Sequence, residues 1–127
     1  MLISVIVTTY NKPEFLKLVL LALANQDDTH FEVIVADDGS TKETADLIHS
    51  LQLTFPVPLK HVWQEDLGFR AAASRNNAAK KSKGDYLIYL DGDCVPRVDF
   101  VSKHRKLAER GFFVTGNRIL LSESLTK

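Results

Sequence analysis

Short apolar runs alternate with segments of helical periodicity along this 127-residue chain, and this alternation is the strongest constraint on its fold. The runs are rich in β-branched residues and apolar on both faces, which is typical of strands buried in a parallel sheet. Right-handed crossovers place the intervening helices over such a sheet, so the series predicts an α/β fold, a mostly parallel sheet with helices on both faces. The predicted strands cover residues 2–8, 31–37, 59–64 and 86–90.

Helix signals fill the segments between the strands. Asn11 is expected to cap the first helix, with Pro13 in its first turn and Glu14 completing a capping box. Ser40 and Thr41 open the second helix, with Glu43 three residues after Ser40, so a second capped helix is expected here. The remaining expected elements are helices over 68–81 and 98–110, a helix end at Gly111, and short strands over 112–116 and 118–121.

The composition narrows the class of protein. Sixteen Lys and Arg residues balance sixteen Asp and Glu residues, so we expect no nucleic-acid partner, and any charge-based function must be local. The single cysteine, Cys94, excludes a disulfide within the chain. No apolar run approaches the roughly 20 residues of a membrane span, and the N-terminus lacks the pattern of a signal peptide. These features predict a cytoplasmic protein.

Polar clusters follow three of the predicted strands, at residues 8–11, 37–40 and 91–93. In open parallel sheets, ligands bind beyond the carboxyl ends of the strands, where the strand order reverses. A strand order that begins 3-2-1-4 would make the first and fourth strands neighbours, and the three clusters would then flank one crevice. The sequence therefore predicts a ligand site at this edge of the sheet.

Asp91 and Asp93 end the apolar run at 86–90, with only Gly92 between them. An Asp-Gly turn explains the pair without any ligand. Alternatively, the two carboxylates are hard oxygen ligands for Mn²⁺ or Mg²⁺ and leave coordination positions open for phosphate oxygens. Without a cation, each close charge pair with a diphosphate would be repulsive by about 4 kcal/mol at an effective dielectric constant of roughly 20.

The other two clusters allow both structural and binding roles. Asp37 and Asp38 precede Ser40 in a possible strand-to-helix turn, but an Asp at this place could also accept hydrogen bonds from a ligand N–H or a ribose hydroxyl. Tyr10 could stack on a nucleobase or pack in a capping turn. Thr8 adds a hydroxyl group at the same edge.

Several other residues are site candidates. Arg70 and Arg75 border small residues that permit close helix packing, and the arginines themselves are candidates to meet a phosphate or a sugar of the ligand. Trp63 is expected to pack in the core or at its rim. Cys94 lacks a His partner for nucleophilic chemistry, and the four histidines lack metal-ligand spacing. The basic stretches at 80–84 and 98–110 are interpreted as solvated faces, with contact to an anionic lipid surface as the alternative.

In this order, the clusters resemble those of family 2 glycosyltransferases with the GT-A fold, a Rossmann-like architecture. The resemblance implies that a sugar is transferred from a nucleotide diphosphate donor, commonly UDP-linked, to an acceptor hydroxyl, with inversion at the anomeric carbon. It implies a carbohydrate or lipid-linked acceptor and a role in cell-surface polysaccharide or lipopolysaccharide synthesis. The segments that carry it are 4–16 ("SVIVTTYNKPEFL"), 31–44 ("FEVIVADDGSTKET"), 68–78 ("GFRAAASRNNA") and 84–100 ("GDYLIYLDGDCVPRVDF").

The resemblance also implies roles for residues at the nucleotide. Thr8, Tyr10 and Asp38 match positions that hold the nucleobase, and Asp37 is a weaker neighbour. Arg75 matches a basic position that faces the donor.

The acidic pair matches the D-x-D motif of the family. By the resemblance, Asp91 lies near the ribose, and Asp93 binds the divalent cation, Mn²⁺ or Mg²⁺, that bridges the diphosphate. The ion acts as a Lewis acid that stabilises charge on the leaving nucleotide.

The chain departs from the family at its C-terminus, because the family's catalytic domain is longer. Its later part supplies the carboxylate that deprotonates the acceptor, and Glu123 is not favoured for that role. We therefore expect residues 1–127 to form one C-terminally incomplete domain that binds donor with little or no transfer, the catalytic base lying beyond the chain end. An open sheet edge would favour self-association, and peripheral contact with the inner membrane is a further expectation.

Two other functions compete with this interpretation. One is a non-catalytic nucleotide-binding module. The other is a receiver-like signalling domain, which has a similar length and clustered carboxylates around Mg²⁺. A receiver needs its acidic pair after the first strand, whereas the acidic pairs here follow the second and fourth strands.

Overall fold

The computed structural model describes residues 1–65 and 71–109, in which four strands alternate with four helices. None of the helices in these ranges is long and apolar enough to span a membrane. Arg70, Gly111 and the strands expected over 112–116 and 118–121 lie outside the described residues. The elements are β1 (Ile3–Thr9), α1 (Pro13–Ala24), β2 (Phe31–Asp37), α2 (Lys42–Gln52), β3 (Leu59–Trp63), α3 (Ala71–Lys81), β4 (Tyr86–Asp91) and α4 (Phe100–Glu109).

The strands form one parallel sheet in the order β3-β2-β1-β4. β1 lies between two partners, and Ile3 is level with Phe31 on one side and with Tyr86 on the other. The predicted α/β class and the parallel pairing are confirmed. The observed order is the one under which the three polar clusters would flank one crevice. The order also differs from the 2-1-3-4-5 order of receiver domains, which argues against a receiver-like signalling domain.

Helices cover both faces of the sheet, as expected from the apolar character of both strand faces. Alternate residues of β1 point to opposite sides, so Val5 and Val7 pack into a cluster with α1, α2 and α4, while Ile6 faces α3. Ala78 of α3 is fully buried against Ile6, and its small side chain permits the close packing predicted for this helix.

A buried carboxylate ties the amino end of the sheet together. Glu32 accepts hydrogen bonds from Ser4 Oγ at 2.6 Å and from the Lys83 backbone N–H at 2.7 Å, and it pairs with Lys60 Nζ at 2.8 Å. Burial would raise the pKa of Glu32, but these hydrogen bonds and the Lys60 charge outweigh it and hold the pKa below its usual value. Gly84 is required in the adjoining loop because a Cβ atom there would collide with Ser4 Oγ.

A second polar contact holds α4 to the same end of the sheet. Arg105 donates to Asp28 through Nε at 2.6 Å and Nη2 at 3.1 Å, and to the His30 carbonyl oxygen at 2.8 Å. The hydrogen bonds from Arg105 lower the pKa of the Asp28 carboxyl. This paired geometry fixes α4 beside the start of β2.

His104 of α4 is buried as a neutral ring. It packs edge-on against Phe100, with 5.1 Å between ring centroids, and its Nδ1 lies 3.3 Å from the hydroxyl oxygen of Tyr86. Burial lowers the pKa of His104 to about 4, because the charged imidazolium would lose its hydration. The protein therefore resists protonation of this residue as long as it is folded.

This burial predicts an acid-sensitive stability. Well above pH 6.5, His104 is neutral in both states and imposes no penalty. As the pH falls from there towards 4, the unfolded state takes up the proton while the folded state stays largely neutral. Between pH 7 and pH 4.5 wild type should therefore lose about 2–3 kcal/mol of unfolding free energy that the His104→Phe variant keeps. Urea unfolding at the two pH values measures this difference.

Replacing the exposed His49 with Asn is the matched control, and this variant should lose the same amount as wild type. Equal pH sensitivity of wild type and His104→Phe would show that His104 is not buried in its neutral form.

Candidate functional site

The sheet register brings the three polar clusters to one edge, as predicted. Thr8 is level with Asp91 of β4, and Thr9 is level with Asp37 of β2. Thr8 Oγ1 donates a hydrogen bond to Asp91 Oδ1 at 3.4 Å. Asp37 is in turn level with Trp63 at the end of β3. Residues that are 83 positions apart in the chain thus meet at the carboxyl ends of the strands.

Asp91 and Asp93 lie in a tight turn that presses against β1. The Cys94 backbone N–H donates to the Asp91 carbonyl oxygen at 3.0 Å and closes the turn. A Cβ atom on Gly92 would collide with the carbonyl oxygen of Thr8, so glycine permits this close approach. The turn interpretation of the sequence and the binding interpretation are compatible, because the turn is what brings the two carboxylates together.

The donor set of this turn suits a hard divalent cation. One ligand atom each from Asp91, Asp93 and Cys94 lies within 4.8 Å of the others. The Cys94 Sγ atom lies 3.6 Å from Asp93 Oδ1, within hydrogen-bonding distance for sulfur. Two carboxylates with open coordination positions suit Mg²⁺ or Mn²⁺. Structural zinc typically has sulfur-rich sites, which this turn does not resemble.

Asp37 is fully buried, and the protein engages both of its carboxylate oxygens. Oδ1 accepts from the Ser40 backbone N–H at 2.8 Å, and Oδ2 lies 2.7 Å from His61 Nε2. This carboxylate therefore joins the loop after β2 to the neighbouring strand β3. Direct contact between Asp37 and a nucleotide stays a prediction.

The two helix caps expected from the sequence are wrong, because the capping side chains bond each other's loops. α1 is preceded by Lys12 and α2 by Thr41, and neither helix has a side-chain cap. Instead, the Asn11 N–H donates to Ser40 Oγ at 2.7 Å, and Asn11 Oδ1 accepts from the Thr41 N–H at 2.7 Å. Asn11 adopts a positive φ of 48° to reach this geometry. The loops after β1 and β2 are thereby locked together.

Two half-exposed aromatic rings border these loops. Tyr10 is 47% exposed and directly follows β1, while Trp63 is 53% exposed at the end of β3. Trp63 Nε1 donates to the Ser40 carbonyl oxygen at 3.0 Å, which places the ring at the rim of the site and not in the core. Both rings present apolar surface to solvent, and such surface can stack against the ring of a ligand.

Asp38 belongs to a hydrogen-bonded chain that the sequence did not reveal. Gln64 Nε2 donates to Asp38 Oδ1 at 2.7 Å, and Asn77 Nδ2 donates to Gln64 Oε1 at 2.8 Å. Gln64 follows the end of β3 and could have been suspected from that position, but nothing in the sequence marks Asn77 on α3. Arg75 lies on the same helix and is partly buried.

This combination of fold and site defines a class. An α/β sheet of order β3-β2-β1-β4, with an acidic D-x-D turn after β4 and an Asp after β2, is the arrangement of glycosyltransferases with the GT-A fold. The sequence profile of glycosyl transferase family 2 matches residues 4–125, and the chain belongs to that family.

Curated relatives agree with this assignment. The chain is 40% identical over 109 residues to the hyaluronan synthase of Pasteurella multocida, which covers 84% of this chain and 11% of the synthase. It is 32% identical over 106 residues to the chondroitin synthase of Escherichia coli, covering 83% of this chain and 15% of that enzyme. The chain thus spans only a small part of the length of the relatives it matches.

Solved structures share the fold as well. TarS 1–349 of S. aureus in complex with UDP-GlcNAc superimposes with a TM-score of 0.77 at 29% identity, covering 87% of this chain and 32% of that one. A mannosyltransferase of Pyrobaculum calidifontis in complex with GDP-Man and Mn²⁺ gives a TM-score of 0.74 at 28% identity, covering 84% and 32%.

The buried contacts of Asp37 predict a structural cost for its removal. In Asp37→Ala, the Ser40 N–H and His61 Nε2 lose their partner, and the free energy of unfolding should fall by about 2 kcal/mol. Urea unfolding at pH 7 measures this change. Asp46→Ala, at an exposed position of α2, is the control and should change stability by less than about 0.5 kcal/mol. Equal stability of the two variants would contradict the role given to Asp37.

Proposed function

We propose that this chain is the donor-binding part of an inverting glycosyltransferase that takes its sugar from a nucleotide diphosphate, most simply UDP. The observation that carries the proposal is the position of the Asp91–Asp93 turn, which is hydrogen-bonded to Thr8 beside the loops after β1 and β2. The relationship to TarS, described in complex with UDP-GlcNAc, supports UDP as the nucleotide.

The nucleobase is proposed to bind between the loops after β1 and β2. Tyr10 supplies a half-exposed ring for stacking, and Thr8 and Asp38 supply polar atoms at the same edge. The contact that locks Asn11 to Ser40 would hold these loops in place before the ligand arrives, which lowers the entropy lost on binding. Arg75, on α3, is proposed to face the negative charge of the diphosphate.

Asp93 and Asp91 are proposed to hold Mn²⁺ or Mg²⁺. When bound, this ion would neutralise charge on the diphosphate and stabilise the leaving nucleotide. The mannosyltransferase described with GDP-Man and Mn²⁺ supports such an ion in a protein of the same fold. The residues of this chain would contribute charge and orientation, since Thr8 contacts Asp91 and the turn holds the carboxylates of Asp91 and Asp93 within 4.8 Å of each other.

The acceptor is proposed to be a carbohydrate or a lipid-linked carbohydrate of a cell-surface polysaccharide. The names of the relatives, hyaluronan synthase and chondroitin synthase, support polysaccharide synthesis. A cytoplasmic location, with contact at the inner membrane, would bring the donor to such an acceptor. Self-association through an open sheet edge belongs to the same proposal.

Transfer also needs a base that removes the acceptor's proton. We assign no base within residues 1–65 and 71–109, and we propose that the chain alone binds the donor with little or no transfer. A non-catalytic nucleotide-binding module is the second candidate, since the roles that we assign among the described residues are all in binding the nucleotide and the metal. Sugar transferred to an acceptor by this chain alone would reject it.

The metal assignment predicts that Asp93→Asn abolishes the effect of Mn²⁺ on UDP binding. Calorimetric titration of wild type should show at least tenfold weaker UDP binding after EDTA treatment, because the repulsion between carboxylates and diphosphate is then uncompensated. In Asp93→Asn, the affinities with and without EDTA should agree within about twofold.

Asp46→Asn removes one negative charge from an exposed site on α2 and is the matched control, in which the EDTA effect should persist. An EDTA effect of wild-type size in Asp93→Asn would contradict the assignment of the ion to this turn.

The proposed stacking of the nucleobase on Tyr10 predicts that Tyr10→Ala weakens UDP binding. Loss of one stacked ring removes about 1–3 kcal/mol, so the dissociation constant should rise by roughly 5- to 150-fold. Leu53 is exposed and directly follows the C-terminal end of α2. It is the control for lost apolar surface, and Leu53→Ala should bind UDP like wild type. Unchanged affinity in Tyr10→Ala would place the base elsewhere.

A further inference from the structure

The hydrogen-bonded chain from Asn77 through Gln64 to Asp38 connects α3 to the loop after β2. Its two side-chain contacts are short, at 2.8 and 2.7 Å, and Asp38 is only 6% exposed. Backbone hydrogen bonds reinforce it at Gln64 and at Asp38, since the Gln64 N–H donates to the Asp37 carbonyl oxygen at 3.0 Å and the Asp38 N–H donates to the Thr9 carbonyl oxygen at 3.2 Å. The geometry of Asp38 thus depends on residues from three separate parts of the chain.

The chemistry of these groups fixes the direction of every hydrogen bond. A carboxylate only accepts, so Gln64 must turn its NH₂ group towards Asp38. The amide oxygen of Gln64 then faces α3 and requires a donor, which the NH₂ group of Asn77 supplies. The orientation of each amide follows from its neighbour, and Asp38 is held as an acceptor.

The Asn77 end of this hydrogen-bonded series is anchored in the core. Ala78, next to Asn77, is fully buried against Ile6, Ile34 and Ala36 of the sheet. Movement of Asn77 would therefore require movement of α3 against the sheet. Because Arg75 lies two residues before Asn77, the same helix carries the side chain proposed to face the diphosphate.

We propose that Asn77 and Gln64 are positioning residues that hold Asp38 as a hydrogen-bond acceptor and so set the preference for a nucleobase with a ring N–H. Uracil carries such a donor at N3, whereas cytosine carries an acceptor there, so UDP is preferred over CDP. This inference rests on the proposed function, because it takes Asp38 as a contact of the base.

We call the hydrogen-bonded series from Asn77 through Gln64 to Asp38 the relay. The variant Asn77→Asp tests it with almost no change in side-chain shape. Its carboxylate can only accept, so the Gln64 amide must rotate and turn its oxygen towards Asp38, where two acceptors then face each other. We expect UDP to bind at least tenfold more weakly and the preference for UDP over CDP to fall by at least threefold, measured by calorimetric titration in the presence of Mn²⁺.

Asn76→Asp is the matched control, since it adds the same charge one position earlier on α3 at an exposed site. We expect wild-type affinity and base preference in this variant. If both variants weaken UDP and CDP equally, the effect is one of charge and the relay is rejected.

A double-variant cycle separates positioning from a general structural defect. In an Asp38→Asn background, the side chain at 38 can donate to the rotated Gln64, so the further change Asn77→Asp should weaken UDP binding by less than threefold. A tenfold loss in this background as well would overturn the relay. Should Asn77→Asp fail to fold, Gln64→Leu removes both hydrogen bonds at similar volume and must lower the UDP-to-CDP preference.

The outcomes also separate the relay from the function on which it rests. Failure of wild type to bind any nucleotide diphosphate would reject the proposed function, and the relay with it. Wild-type binding of UDP, together with unchanged base preference in both Asn77→Asp and Gln64→Leu, would reject the relay alone.

Discussion

The parallel pairing of β1 with both β2 and β4 is the constraint on which the rest of the structure depends. Parallel strands end at the same edge, so this pairing alone brings Thr8, Asp37 and Asp91 into one row. The hydrogen bonds between the loops act on that placement and refine it. Shifting β1 by one residue would exchange the two core faces and separate the carboxylates from the neighbouring loops.

The two ends of the sheet use polar residues in different ways. At the amino end, Glu32 and Arg105 are held by several short contacts, which anchor the loop before β4 and the helix α4. At the carboxyl end, polar side chains also bond one another, but aromatic rings and Asp93 remain exposed at the rim. A rigid amino end and a solvent-facing carboxyl end are what a binding site on a fixed scaffold requires.

The sequence predicted the four strands that the structure describes and the edge at which the three polar clusters meet, because periodicity and crossover handedness act over whole elements. It failed at the helix caps, since Asn11 and Ser40 have cap-like spacing but bond each other across 29 positions. It also missed Gln64 and Asn77, whose importance arises only when β3 and α3 are placed beside Asp38. Contacts between loops depend on tertiary geometry that local patterns do not encode.

We propose that the acidic turn after β4 holds a cation against the diphosphate of a bound nucleotide. A crystal structure of this chain with UDP and Mn²⁺, with manganese located by anomalous scattering, tests it most directly. We expect one anomalous peak bonded to an Asp93 carboxylate oxygen and to the diphosphate, with the uracil ring between Tyr10 and Asp38. Manganese bound away from Asp93, or UDP bound away from this edge, would contradict it.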